Sequence, residues 1–267
     1  MSADATPALP DGILVCGPPG SGVPIVAATL TRAGVPAAGW EGGPELHPAA
    51  DPENLGPDRG PVLVALEASD AACLERSLPP WSERQLSSDV GGALRELAAA
   101  RDRLFPARLR ADLLLDSTHL AAHVLGARVR QLDAFLGKQP ATSPAVVVES
   151  FGYPRGVPLD LGWCIDARAL RNPYWEPALR MLSGLDPEVQ AFVLGQPLAT
   201  RVLDSTEALV QTLIPELQTR SRRVLRLAVG CTGGFHRSVA MTEELGRRLK
   251  AAGVNTLIWH RDLPERP

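Results

Sequence analysis

The densest chemistry in the chain lies in nine consecutive residues, Gly230-Cys231-Thr232-Gly233-Gly234-Phe235-His236-Arg237-Ser238. They follow a buried apolar run and open an amphipathic helical pattern. Adjacent glycines let backbone approach a ligand closely, and a helix N-terminus offers unpaired amides with a positive dipole. Thr232 and Ser238 add hydroxyls, while Arg237 and a protonatable His236 add charge. Such a set suits a phosphate or carboxylate. A tight turn with an incidental arginine is the plainer alternative. The same residues also fit a catalytic reading, because Cys231 and Arg237 stand as C-x5-R before Ser238, the spacing of cysteine-dependent phosphatases. Gly230 precedes the cysteine where histidine is usual, and Asp262 or Asp166 would have to serve as leaving-group acid.

A second candidate is Gly17-Pro18-Pro19-Gly20-Ser21-Gly22-Val23-Pro24, between an apolar run and a helical pattern. Its glycine spacing matches G-x-x-x-x-G-K-[ST], whose amides cradle nucleotide phosphates. Val23 replaces the lysine that reaches the β- and γ-phosphates, and Pro24 replaces the hydroxyl that ligates Mg²⁺. ATP or GTP is the cofactor such a loop would take, with Mg²⁺ only if a nucleotide binds, and hydrolysis is expected to be absent or slow. A Gly-rich turn without a ligand is the alternative. His119 and His123 are four apart on a predicted helix, but with no third ligand nearby no metal site is expected. Cys16, Cys73 and Cys164 read as core packing, and Trp40 as a loop anchor.

These residues need elements to hold them. Short apolar runs predict strands at 13–16, 62–66, 113–115, 145–149, 163–166, 224–229 and 254–259. Helical spacing predicts helices at 87–104, from a cap at Asp116-Ser117-Thr118 to about 136, and at 188–194, 205–219 and 238–252. Residues 34–61 contain 12 Gly or Pro in 28 and read as irregular. The polar stretch 137–144 reads as a linker. The expectation is an α/β chain of two domains, 1–140 and 145–267, with mostly parallel sheets. The chain has 267 residues and a net charge of −3. Residues 146–267 hold 13 acids and 15 bases, too small a basic excess for a strong polyanion binder. The run Arg220-Ser221-Arg222-Arg223 with Arg226 is the best RNA candidate. No apolar run approaches the roughly 20 residues of a membrane span. Four scattered cysteines and no signal-like N-terminus suggest a cytoplasmic setting.

From Val148 onward the sequence resembles the RapZ/YvcJ-like family of RNase adapters and P-loop nucleotide-binding proteins. The resemblance rests on Ser150-Phe151-Gly152-Tyr153, Gly156-Val157-Pro158, Asp166-Ala167-Arg168 and Asn172-Pro173-Tyr174-Trp175. It continues through Arg180, Gly184-Leu185-Asp186, the 230–238 loop and His260-Arg261-Asp262. It implies a kinase-like N-terminal domain and a phosphofructokinase-like C-terminal domain binding an amino-sugar phosphate, with Asp166, Arg168 and Asn172 in the same cleft as the loop. It also implies a homo-oligomer, and in some members RNA delivery to an RNase. Three departures stand out: Val23 and Pro24, Ser77-Leu78-Pro79-Pro80-Trp81 in place of an arginine-rich run after Arg76, and an ending Glu265-Arg266-Pro267 with one arginine.

Overall fold

The computed structural model describes residues 13–32, 34–41, 62–77, 90–136, 144–159, 161–219 and 223–263. The chain divides into two units, Met1–Gly137 and Lys138–Pro267. Both are α/β, each around a four-stranded parallel sheet.

In the first unit the elements are β1 (Ile13–Cys16), α1 (Val23–Arg32), β2 (Ala37–Trp40), β3 (Val62–Glu67), α2 (Asp70–Ser77), α3 (Val90–Arg110), β4 (Leu113–Asp116) and α4 (Ala122–Leu136). Sheet order is β2-β1-β3-β4. β1 is buried along its whole length, as a central parallel strand covered on both faces must be. Part of the stretch expected to be irregular is a strand: β2 pairs with β1, from Ile13 opposite Ala37 to Cys16 opposite Trp40. Its alanines and glycine carry no strand signature, so pairing rather than propensity makes it a strand. Residues 42–61 lie outside the described residues. α3 also runs six residues past the expected end at Leu104, through Pro106. Buried Ala107 and an Arg108–Glu67 ion pair at 2.9 Å hold its last turns.

The second unit continues with β5 (Ala145–Gly152), β6 (Trp163–Asp166), α5 (Pro187–Leu194), α6 (Pro197–Thr219), β7 (Val224–Cys231), α7 (Arg237–Ala251) and β8 (Thr256–His260). Sheet order is β6-β7-β5-β8. The two central strands, β5 and β7, are buried at every position, and α5, α6 and α7 pack Val189, Val193, Leu203, Val210, Met241 and Leu245 into one core. α6 begins at Pro197, eight residues before the expected Ser205, because proline suits a first helical turn. Between β5 and α5 the backbone makes three single 3₁₀ turns, Tyr153–Arg155, Ala167–Ala169 and Pro173–Trp175. Among the described residues no helix is long and apolar enough to cross a membrane.

Candidate functional site

The 230–238 loop joins β7 to α7 at the carboxyl edge of the second sheet, where open parallel sheets present ligand crevices. Register sets Gly230 beside Phe151 of β5 and Asp166 of β6, and Cys231 beside Gly152. Gly234 turns the loop with φ +70°, and a Cβ there would lie 2.7 Å from Gly152 N and 2.9 Å from Asp262 Cβ. The turn therefore needs glycine for conformation and for space. Asp262 fastens the far side. It accepts from Gly152 N at 2.7 Å and from Arg155 at 3.0 Å, and pairs with Arg261 at 2.9 Å.

Cys231 points into the loop. Its Sγ accepts from Gly234 N at 3.2 Å and lies 3.1 Å from Ser238 Oγ. Burial pushes its pKa up, but Ser238 and the amides of Ser238, Gly234 and Gly233 outweigh that and leave it below the usual thiol value. Arg237 is buried. Its Nη1 donates to Leu170 O at 2.9 Å and Arg168 O at 3.2 Å, and its Nη2 to Thr232 Oγ1 at 3.1 Å. Its Nε is a buried donor without an acceptor, an uncommon state for a guanidinium. Beside it, Arg168 grips Asp166 through Nε at 2.9 and 3.0 Å and through Nη2 at 2.6 Å. Its guanidinium lies 3.9 Å over the Tyr153 ring. The Arg168–Asp166 pair is half exposed.

The 17–24 loop of the first unit has the strand–turn–helix form of a phosphate cradle, with Gly20 and Gly22 at φ +80° and +102°. Several of its positions nevertheless offer no free amide. Pro18, Pro19 and Pro24 have none. Gly17 N donates to Trp40 O at 3.2 Å and Ser21 N to Pro18 O at 3.0 Å. Arg76 ties the loop to the β4–α4 turn by donating to Gly20 O at 3.3 Å and Ser117 O at 2.9 Å.

A sequence model of the RapZ C-terminal domain matches residues 144–264. A nucleotide-binding protein of Frankia alni is 43% identical over 206 residues, spanning 76% of this chain and 69% of its own length. The chain belongs to the RapZ family. Similar proteins include a nucleotide-binding protein of Corynebacterium jeikeium, 38% identical over 206 residues (77% of this chain, 69% of its own), and one of Thermobifida fusca, 40% identical over 204 residues (76% and 68%).

In this RapZ-family chain Cys231, Thr232, Gly233, Gly234, Arg237 and Ser238 do share one turn, with Asp166 and Arg168 on the neighbouring strand edge. Asn172 instead caps the third 3₁₀ turn, accepting from Tyr174 N at 3.3 Å. His236 is buried with Nε2 3.2 Å from Arg180 O, and burial first of all lowers its pKa, so it brings no positive charge. Arg237 is as much a structural brace as a ligand group. Both proposed phosphatase acids are paired with arginines. Arg168 holds the Asp166 carboxyl below its usual pKa, and for Asp262 the effect of burial is reversed by Arg261, Gly152 and Arg155. Arg226 of the RNA candidate is buried and paired with Glu149 at 2.5 Å, while residues 220–222 lie outside the described ones. So do 78–81 and 265–267, on which two of the departures fall. Cys164 is exposed rather than core. His119 sits in the turn before α4, off the helix that carries His123. Trp40 closes β2 as a buried anchor.

Proposed function

We propose that this RapZ-family protein is a regulatory ligand-binding protein whose C-terminal unit takes a phosphorylated sugar, amino sugars included, at the Thr232–Ser238 loop. The N-terminal loop, on this reading, no longer supports ATP or GTP hydrolysis. The observation that carries the first part is the Arg237 guanidinium, locked in place by two carbonyls and Thr232, with a buried Nε still lacking an acceptor. The half-exposed Arg168–Asp166 pair beside it costs little to open, since solvent screens exposed ion pairs. A ligand phosphate would draw Arg168 away, leaving Asp166 to receive sugar hydroxyls or an ammonium.

The names of the relatives favour a nucleotide as the second ligand to test. The lowered thiol pKa of Cys231 favours phosphatase chemistry, but with Asp166 and Asp262 both paired to arginines that reading is the weaker one. Titration calorimetry of the full chain with glucosamine 6-phosphate, glucose 6-phosphate, inorganic phosphate and ATP distinguishes these. Saturable sugar-phosphate binding is expected, weakened roughly 10- to 100-fold by Arg168→Ala through loss of a charge-assisted hydrogen bond. No binding by the parent, or equal binding by Arg168→Ala, overturns the assignment. Cys231→Ser should retain binding, and hydrolysis of an aryl phosphate by the parent that Cys231→Ser abolishes would restore the phosphatase reading.

A further inference from the structure

Behind the 230–238 loop, His260 at the end of β8 joins two elements on which the loop depends. Its Nδ1 lies 2.8 Å from Oγ of Ser150, a wholly buried residue of β5, and its Nε2 lies 2.9 Å from Oε1 of Glu243 on α7. Glu243 is held as a carboxylate, its pKa lowered first of all by this hydrogen bond, so it can only accept. Nε2 therefore carries a proton, and in the neutral ring Nδ1 accepts from Ser150 Oγ. A ring with a donor at one nitrogen and an acceptor at the other spans both partners at once. Strand register places Ser150 opposite His260, and the Arg261 amide donates to Ser150 O at 2.9 Å, so the backbone fixes the same contact. Two residues beyond Ser150 is Gly152, against which the loop rests: a Cβ there would lie 2.9 Å from Gly233 C. Glu243 lies about one and a half turns after Ser238, on the helix that the loop opens.

We infer that His260 is a positioning residue for this loop: by bridging Ser150 and Glu243 it fixes the start of α7, with Arg237 and Ser238, against the Gly152 edge. A binding site keeps its affinity only while its ligand groups are held to a fraction of an ångström, which needs supporting hydrogen bonds behind them. Ile258 fills the space over Gly246 and seats the later part of α7 on β8 by packing alone. Packing sets the distance between helix and sheet but lets the helix slide or turn on its axis. The directed bonds of His260 remove that freedom. The inference rests on the reading that this loop takes a phosphorylated sugar, and one set of measurements separates the two.

In the full chain, nitrogen NMR of the histidine rings should show neutral His260 as the Nε2–H tautomer with Nδ1 accepting. The Nδ1–H tautomer would contradict the bridge whether or not a ligand binds. Calorimetric titration with glucosamine 6-phosphate then compares the parent with His260→Leu, His260→Gln and Glu243→Ala, with circular dichroism melts as a folding control. His260→Leu and Glu243→Ala are expected to bind roughly tenfold more weakly. His260→Gln, whose side-chain amide can still donate to Glu243, should recover part of that loss. Glu243 is the more exposed end of the bridge, so Glu243→Ala carries the test if His260→Leu does not fold. Folded variants that bind as tightly as the parent, or a His260→Gln no better than His260→Leu, overturn the role of His260 and leave the sugar-phosphate reading standing. A parent that binds no sugar phosphate overturns that reading and this role together.

Discussion

Asp262 braces the Gly234 turn from behind. It is almost wholly buried and ties Gly152, Arg155 and Arg261 together behind Gly234. Its folded pKa lies below the unfolded value of about 3.9. A depressed carboxyl pKa adds stability that is present above the unfolded value and is lost as pH falls through the folded one. Thermal melts of the parent are therefore expected to fall steeply in Tm below about pH 4. Asp262→Asn should start lower and show a shallower acid loss, and an unchanged acid slope would contradict this role. Cys231 belongs to the same scale. As it is buried, iodoacetamide should modify it slowly, and a sugar phosphate should slow that further while leaving exposed Cys164 reactive.

At the level of elements, β5 and β7 are joined by more than their ladder. Glu149 and Arg226 face each other across it, 1% and 3% exposed, and Arg226 also donates to Leu159 O at 2.8 Å. Removing one member leaves a buried uncompensated charge, so Glu149→Gln should destabilise the second unit by about 3–5 kcal/mol in urea titration. Replacing both by apolar residues of similar volume should cost much less. A small single-variant effect would mean that water reaches the pair. α3 carries a comparable lesson. A proline such as Pro106 usually ends a helix, yet the last turns persist because Ala107 is buried and Arg108 reaches Glu67.

For the whole molecule, two units with separate sheets and cores imply that a ligand stabilises the unit that binds it. A sugar phosphate at one hundred times its Kd should add roughly 2.7 kcal/mol to the unfolding free energy of the unit containing residues 138–267. Followed by hydrogen exchange, protection should rise in β5, β7 and α7 and stay constant in β1 and β3. Charge is the other property of this scale. With 13 acids and 15 bases in residues 146–267, and Arg226 turned inward, RNA binding should be weak and vanish by moderate salt. A tight, salt-resistant complex in filter binding would contradict it.

The residues alone determined the alternation of strands and helices, because a buried parallel strand needs a continuous apolar run and a helix an apolar stripe. They also determined the two strand-to-helix loops, since glycines at fixed spacing and a C-x5-R-S run are local properties. Tertiary structure decided the rest. β2 exists because β1 offers it a ladder, which no pattern in Ala-Ala-Gly-Trp announces. His236 lost its expected charge through burial. Arg237 became a brace because two carbonyls from the Arg168–Leu170 turn converge on it. Burial, protonation and hydrogen-bond partners depend on neighbours distant in the chain, and local sequence does not encode which neighbours those are.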